Sequence, residues 1–206
     1  MIVHGALVPP GPLLEELLDW ALPIMCAPSV EREKRGLLRR QRPPATATDP
    51  VLDPASADTM RMTVAGFGNL TTSDVLRLTG ALAAAAGEWD PPRVFFAGVV
   101  YVPEERLFRA ILDGDVEGLT AVARAVGTSV ERLGFFVDRR RFRPAIDLGT
   151  AAAAASDSDI ARVVEAFRGF RGQEWTVDSL ALITQTFDGP RMDWKPFELV
   201  PVGVSA

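Results

Sequence analysis

The stretch MRMTVAGFGNLT, from Met60 to Thr71, reads as a strand followed by a turn and the start of a helix. Successive side chains of a strand point to opposite faces of the sheet. One face of this strand therefore carries two methionines and a valine, and the other carries Arg61, Thr63 and Ala65. The apolar face belongs in the core, so we expect Arg61 and Thr63 to face a cleft or solvent.

A second stretch, RFRPAIDLGT from Arg141 to Thr150, also reads as a strand. Ala145 and Asp147 stand two positions apart in it, as the polar pair does in the first stretch. Arg143 has the same strand parity as these two residues, although the proline after it disturbs the alternation. The sequence thus holds two similar strands, each with side chains that can face away from the core.

The composition indicates a soluble globular protein. The 206 residues suit one domain of two lobes, which we assign to the whole range 1–206. Hydrophobic residues make up 48% of the chain, yet no apolar run approaches the roughly 18 to 20 residues of a membrane span. We therefore expect no membrane association and a cytoplasmic location.

Several ligand classes are disfavoured by the residue counts. The one cysteine, Cys26, cannot form an internal disulfide, and one histidine beside it is too few for the usual zinc ligand sets. The acidic residues are scattered, so we expect no metal and no cofactor. A net charge of −5 argues against broad coating of nucleic acid, which relies on basic surface.

Two charged segments remain open to more than one interpretation. Residues 27–59 are proline-rich and lack an apolar period, which predicts a short basic helix and then a flexible excursion. The basic run Arg32–Arg42 within it is most simply a solvated helix face, with a local nucleic-acid patch as the alternative. The triplet Arg139–Arg141 lies on a predicted loop, where it either steers a phosphate or is merely solvated.

The order of predicted elements favours an α+β fold of two similar halves, with helices packed against largely antiparallel strands. The predicted elements are a strand at 2–8, a helix ending near Pro23, a strand at 60–67, a helix capped by Thr72 or Ser73 and ending at Gly87, strands at 93–102 and 105–112, a helix from Asp115 to about Gly134, a strand at 142–149, a helix capped by Ser156 or Asp157 and ending near Gly169, and strands at 174–187 and 194–204.

These stretches, taken together and in order, resemble the 2H phosphoesterase superfamily, in particular its LigT-like branch of 2'-5' RNA ligases and RNA 2',3'-cyclic phosphodiesterases. The resemblance covers nearly the whole chain. It implies a bilobal fold in which two antiparallel sheets flank a central cleft and the helices lie outside. The stretches that carry it are IVHGALV, RMTVAGFGNLT, RVFFAGVVYV, RRFRPAIDLG and FRGQEWTVDSLALITQTF.

In active members, as the resemblance implies, each lobe supplies one H-x-T/S motif, and the two histidines exchange protons with the reacting oxygens. The matching positions here are Arg61 and Thr63 in the first motif and Ala145 and Asp147 in the second. Arginine does not deprotonate in a protein, and alanine has no proton to transfer. Each acid-base role is worth roughly 10² to 10⁴ in rate, so we predict that the family's reaction is absent.

Five interpretations of this degenerate site stay open. Arg61 and Asp147 either form an ion pair across the cleft or point to water independently. Alternatively, Arg61, Thr63, Arg143 and Asp147 bind the phosphate of a nucleotide or an RNA end without cutting it, which is the function that we predict. The others are altered catalysis, with Asp147 as the base, and a protein-interaction scaffold with a plugged cleft.

The only histidine, His4, lies in the predicted first strand. We interpret it as a structural residue, because a lone histidine in an apolar strand usually has that role. The alternative is that it faces the cleft and replaces a lost acid-base group. The tryptophans are spread along the chain, which predicts packing in the core or at its rim.

Overall fold

A computed structural model describes residues 1–25, 51–56, 59–138, 142–188 and 191–203. The elements follow one another in this order: β1 (Ile2–Leu7), α1 (Gly11–Met25), β2 (Leu52–Pro54), β3 (Met62–Asn69), α2 (Thr72–Ala86), β4 (Arg93–Val102), a 3-10 turn (Pro103–Glu105), β5 (Leu107–Gly114), α3 (Val116–Glu131), β6 (Ala145–Ala151), α4 (Asp157–Ala166), β7 (Trp175–Thr176), β8 (Ser179–Asp188) and β9 (Arg191–Pro201).

The strands form two antiparallel sheets, as the α+β prediction requires. A four-stranded sheet has the order β3-β1-β8-β9, and a five-stranded sheet has the order β2-β6-β5-β4-β7. One continuous cluster of buried side chains joins them, since it includes Val3 and Met62 from the first sheet and Phe96 and Phe108 from the second. Strand β3 lies at an edge of its sheet, and β6 is next to the edge of the other.

Alternation within β3 accounts for its orientation. The apolar face is buried as predicted, with Met60 at 0%, Met62 at 1% and Val64 at 1% exposure. Ala65, which was predicted to share the open face with Arg61 and Thr63, is buried as well. The pairing of β1 with β3 shifts register between Gly5 and Ala6, and such an irregularity breaks the strict two-residue alternation.

Two helices begin at capping boxes that the sequence located within a residue or two. Helix α4 is capped by Ser156, whose hydroxyl accepts from the backbone N–H of Asp159. Helix α2 is capped by Thr71, one position before the predicted Thr72 or Ser73. The reason is Asp74, which sits at the third helical position relative to Thr71 and accepts from its backbone N–H in return.

Two further predictions differ from the structure. Residues 174–187 form two strands in different sheets, because β7 pairs with β4 whereas β8 pairs with β1 and β9. Part of the predicted excursion at 27–59 is also ordered: β2 pairs with β6, and Leu52 is fully buried. A buried leucine on a paired strand explains that order, because leaving it in water would cost about 1.5 to 3 kcal/mol.

Several predictions fall on residues that the structure does not describe. Cys26, the basic run Arg32–Arg42 and the triplet Arg139–Arg141 lie outside the described ranges, as does most of 27–59. Within the described part of the chain, no helix is long and apolar enough to cross a membrane.

Candidate functional site

A cavity of about 390 Å³ opens between the two sheets. The four-stranded sheet contributes side chains at and just before the start of β3, and the five-stranded sheet contributes side chains from β5, β6 and the turns that precede them. The lining residues are Arg61, Thr63, Glu105, Arg109, Arg143, Ala145 and Asp147. The five residues that the sequence assigned to the degenerate site therefore all line one cavity; they are Arg61, Thr63, Arg143, Ala145 and Asp147.

On the four-stranded side, Arg61 is held against a tryptophan. Its Cζ atom lies 4.6 Å from the centroid of the Trp194 ring, within the range of a cation–π contact. Trp194 comes from β9, three strands away across the sheet, and packs on the buried side chains of Ala6, Ala181 and Ile183. Arg61 therefore contacts a tryptophan that is itself packed on this small apolar cluster.

On the five-stranded side, Arg109 connects two carboxylates. Its Nε donates to Oδ1 of Asp147 over 2.9 Å, and its Nη2 donates to Oε2 of Glu105 over 2.5 Å. Arg143 extends the network, with Nη1 3.6 Å from Oε1 of Glu105. Only 12% of the Arg109 side chain is exposed, against 56% for Asp147. Arg109 is therefore the least exposed member of a partly exposed ionic network.

This network corrects the predicted ion pair between Arg61 and Asp147. Among the described residues, Asp147 pairs with Arg109, its direct neighbour across the β5–β6 ladder. A register shift between Phe108 and Arg109 makes them neighbours. Cross-strand partners have Cβ atoms about 4.5 to 5.5 Å apart, which is closer than a residue on the opposite sheet normally comes.

The protonation of Arg109 is secured by its surroundings. Burial acts to lower the pKa of its guanidinium, but the hydrogen bonds and charges of Asp147 and Glu105 outweigh that effect, so the pKa is raised above its ordinary value. Arg109 remains a fixed cation and does not transfer protons.

The chemistry available in the cavity is therefore ionic. Among the described lining residues there are three arginines and two carboxylates, Thr63 supplies a hydroxyl, and Ala145 has no reactive group. His4 is not among the lining residues of the described chain; its ring stands edge-on to that of Trp194 at 4.9 Å between centroids. Within the described ranges, no group of three or more histidine, cysteine, aspartate or glutamate side chains is arranged to hold a metal ion.

Sequence reasoning missed Glu105, Arg109 and the role of Trp194. Arg109 carried a signal, because it is a charged residue in the middle of the apolar strand ERLFRAIL. A charge at such a place usually has a partner on the neighbouring strand. Glu105 and Trp194 had no comparable signal, since their proximity to the cavity depends on the turn before β5 and on the order of strands in the sheet.

No protein-family model and no curated protein matches the sequence. Solved structures do match it. TT0787 of Thermus thermophilus aligns with a TM-score of 0.64 and 17% identity over 98% of both chains. LigT of E. coli complexed with 3'-AMP aligns with a TM-score of 0.60 and 17% identity over 98% of this chain and 97% of its own.

A third solved structure, a phosphoesterase, aligns with a TM-score of 0.62 and 16% identity over 98% of both chains. Similarity at this level of identity establishes the fold. The predicted fold of two antiparallel sheets flanking a cleft, with the architecture of LigT, is thereby confirmed.

Proposed function

We propose that the chain is a non-catalytic protein that binds the phosphate of a nucleotide or of an RNA end in the cavity between its sheets. One observation carries the proposal. The two places where the resemblance puts catalytic histidines hold Arg61 and Ala145, and they line an open cavity together with two more arginines and Thr63. Such a lining favours an anion, and none of its described side chains is of a type that ordinarily titrates near neutrality.

Arg61 and Thr63 are the principal phosphate ligands in this proposal. A guanidinium presents several N–H donors in one plane, which suits two phosphate oxygens, and the hydroxyl of Thr63 can donate to a third. Arg143 assists from the opposite side, since its contact with Glu105 is long at 3.6 Å and 56% of its side chain is exposed. Arg109 contributes charge rather than donors, because Asp147 and Glu105 already engage it.

The balance of charges supports binding over a plugged scaffold. Among the described residues of the lining, three arginines outnumber two carboxylates, which gives this part of the cavity a formal charge of +1. Its volume of about 390 Å³ lies within the 300 to 1,000 Å³ typical of small-molecule sites. Structures of E. coli LigT, which shares the fold, are complexed with 3'-AMP, NADP+ and ATP, and such nucleotides are natural first probes.

The test is a calorimetric titration of the full chain with 3'-AMP and with a nucleoside 2',3'-cyclic phosphate at low salt. We expect binding that weakens as salt is added, and no hydrolysis of the cyclic phosphate. Arg61→Met should weaken binding by roughly 10- to 100-fold, because hydrogen bonds to charged groups are worth about 1.5 to 3 kcal/mol.

Arg168→Met is the matched control, since Arg168 pairs with Glu165 on the exposed end of helix α4 and does not line the cavity. This variant should bind as the wild type does. Absence of binding by the wild-type chain would refute the proposal. If the wild type hydrolyses the cyclic phosphate and Arg61→Met hydrolyses it at a similar rate, altered catalysis would replace the proposed non-catalytic binding.

A further inference from the structure

The charges of the cavity are divided between its two sides. The four-stranded side carries the cation Arg61 together with Thr63. Among the described residues, the five-stranded side carries Asp147 and Glu105 together with Arg109 and Arg143, so its charges balance. A bound phosphate is therefore attracted to Arg61, whereas direct contact with the Asp147 carboxylate would repel it. Whatever part of the ligand lies against Asp147 must be neutral or cationic, and it must offer a hydrogen-bond donor.

Asp147 is held as an acceptor by its neighbours. Arg109 engages its Oδ1 at 2.9 Å, and Arg109 is itself fixed by Glu105. The Asp147 side chain nonetheless stays 56% exposed within the cavity lining, so a ligand in the cavity can reach its carboxylate. A carboxylate whose orientation is set by a buried arginine accepts a hydrogen bond at little further cost in side-chain entropy.

We propose that Asp147 accepts a hydrogen bond from the ribose hydroxyl next to the bound phosphate, so that the site selects ribonucleotides over deoxyribonucleotides. This inference rests on the proposed function and deepens it. The vicinal hydroxyl of a ribonucleoside 3'-phosphate is a donor only a few bonds from the phosphate, so both groups can lie in one cavity of about 390 Å³. Asp147 is then a specificity-determining residue, and Arg109 is the residue that positions it.

The test compares 3'-AMP with 2'-deoxyadenosine 3'-monophosphate by calorimetry, in the wild-type chain and in Asp147→Asn. We expect the wild type to prefer the ribonucleotide by roughly 3- to 10-fold, the equivalent of one net hydrogen bond to a hydrated partner. In Asp147→Asn the preference should shrink to within about twofold, because a neutral amide is a weaker acceptor. The same variant should bind the deoxyribonucleotide more tightly than the wild type does, since a repelling charge is gone.

A purely structural role for Asp147 would weaken both ligands together and would leave their ratio unchanged. Glu165→Gln removes one negative charge from a comparably exposed carboxylate, at 59% exposure on helix α4, and should change neither affinity nor ratio. Arg109→Met keeps Asp147 but removes the hydrogen bond that orients it, so the preference for the ribonucleotide should fall only in part.

The outcomes separate this inference from the proposed function. Equal binding of the two nucleotides by the wild-type chain would overturn the role of Asp147 and leave phosphate binding intact. If folded Asp147→Asn kept the full preference for the ribonucleotide, the role of Asp147 would likewise be overturned and phosphate binding would stand. Failure of the wild type to bind either nucleotide would overturn the proposed function and this inference with it.

Discussion

The prediction that the structure defines most sharply concerns Arg109→Met. Methionine retains most of the apolar stem of the arginine side chain and removes only the guanidinium, so packing changes little. The variant loses two charge-assisted contacts, to Asp147 at 2.9 Å and to Glu105 at 2.5 Å. The change therefore isolates the ionic network from the hydrophobic core around it.

The magnitude follows from the exposure of the three partners. If all were buried, removing one would cost about 3 to 5 kcal/mol, because an unpaired charge would be left in the interior. Arg109 is 12% exposed, but Asp147 and Glu105 are 56% and 47% exposed, so water rehydrates them. Exposed pairs are worth about 0.2 to 1 kcal/mol each, or about 0.4 to 2 kcal/mol for two. Because Arg109 itself is mostly buried, we expect a loss in the upper part of that range, roughly 1 to 2 kcal/mol in the free energy of unfolding.

The assay is urea unfolding followed by far-UV circular dichroism, with Arg168→Met as the control. The control also breaks an arginine–carboxylate contact, of 2.7 Å, but both of its side chains are mainly exposed, so its cost should stay below about 0.5 kcal/mol. A double-mutant cycle of Arg109→Met with Asp147→Asn should give a coupling of roughly 0.5 to 1 kcal/mol.

Two results would refute the reasoning. If Arg109→Met were as stable as the wild type, the two contacts of Arg109 would contribute nothing measurable to the free energy of unfolding. If the loss exceeded about 3 kcal/mol, Asp147 and Glu105 would have to be far less hydrated than their exposure indicates. In either case Arg109 would not orient a solvated Asp147 carboxylate toward a ligand in the way proposed above.

Three further predictions can be checked on the same chain. Trp194→Leu should weaken 3'-AMP binding by a few-fold in calorimetry, because Arg61 loses a cation–π contact worth about 0.5 to 1 kcal/mol. Trp194→Phe keeps an aromatic ring and should weaken the binding less. Gly114→Ala should destabilise the fold by more than about 1 kcal/mol in urea unfolding, because the φ of Gly114 is +97° and a Cβ there would lie 2.7 Å from the carbonyl oxygen of Arg93. The control is Gly80→Ala, in an exposed helix interior with open space around it. This variant should instead stabilise the fold by up to about 1 kcal/mol. The hydrogen bond from the Ser156 hydroxyl is the largest of the effects that lower the pKa of Asp159, and burial opposes it. The free energy of unfolding should therefore be constant above the ordinary carboxyl pKa of about 3.9 and should decline as the pH falls through the lowered pKa. Unfolding curves of Ser156→Ala between about pH 2 and 7 should show a smaller decline.

Much of the fold and part of the site could be predicted from local sequence patterns. Alternation along MRMTVAGF placed Arg61 and Thr63 away from the core, and both line the cavity. Ser156 and Asp115 cap the helices that the sequence assigned to them. These features could be predicted because each depends on residues within a few positions of one another, whose spacing determines which face or helix end they occupy.

The sequence by itself also determined what the site lacks. With one histidine in the chain, two imidazoles cannot meet at the two motif positions, whatever the fold does. Only the tertiary structure decided which charges meet. A one-residue shift of register sets Arg109 opposite Asp147, whereas continuing the pairing of Phe108 with Gly149 would have set it opposite the buried Leu148. Trp194 reaches Arg61 only because β9 and β3 belong to one sheet. Partners of this kind are far apart in sequence, and they are selected by strand order and register, which no local pattern encodes.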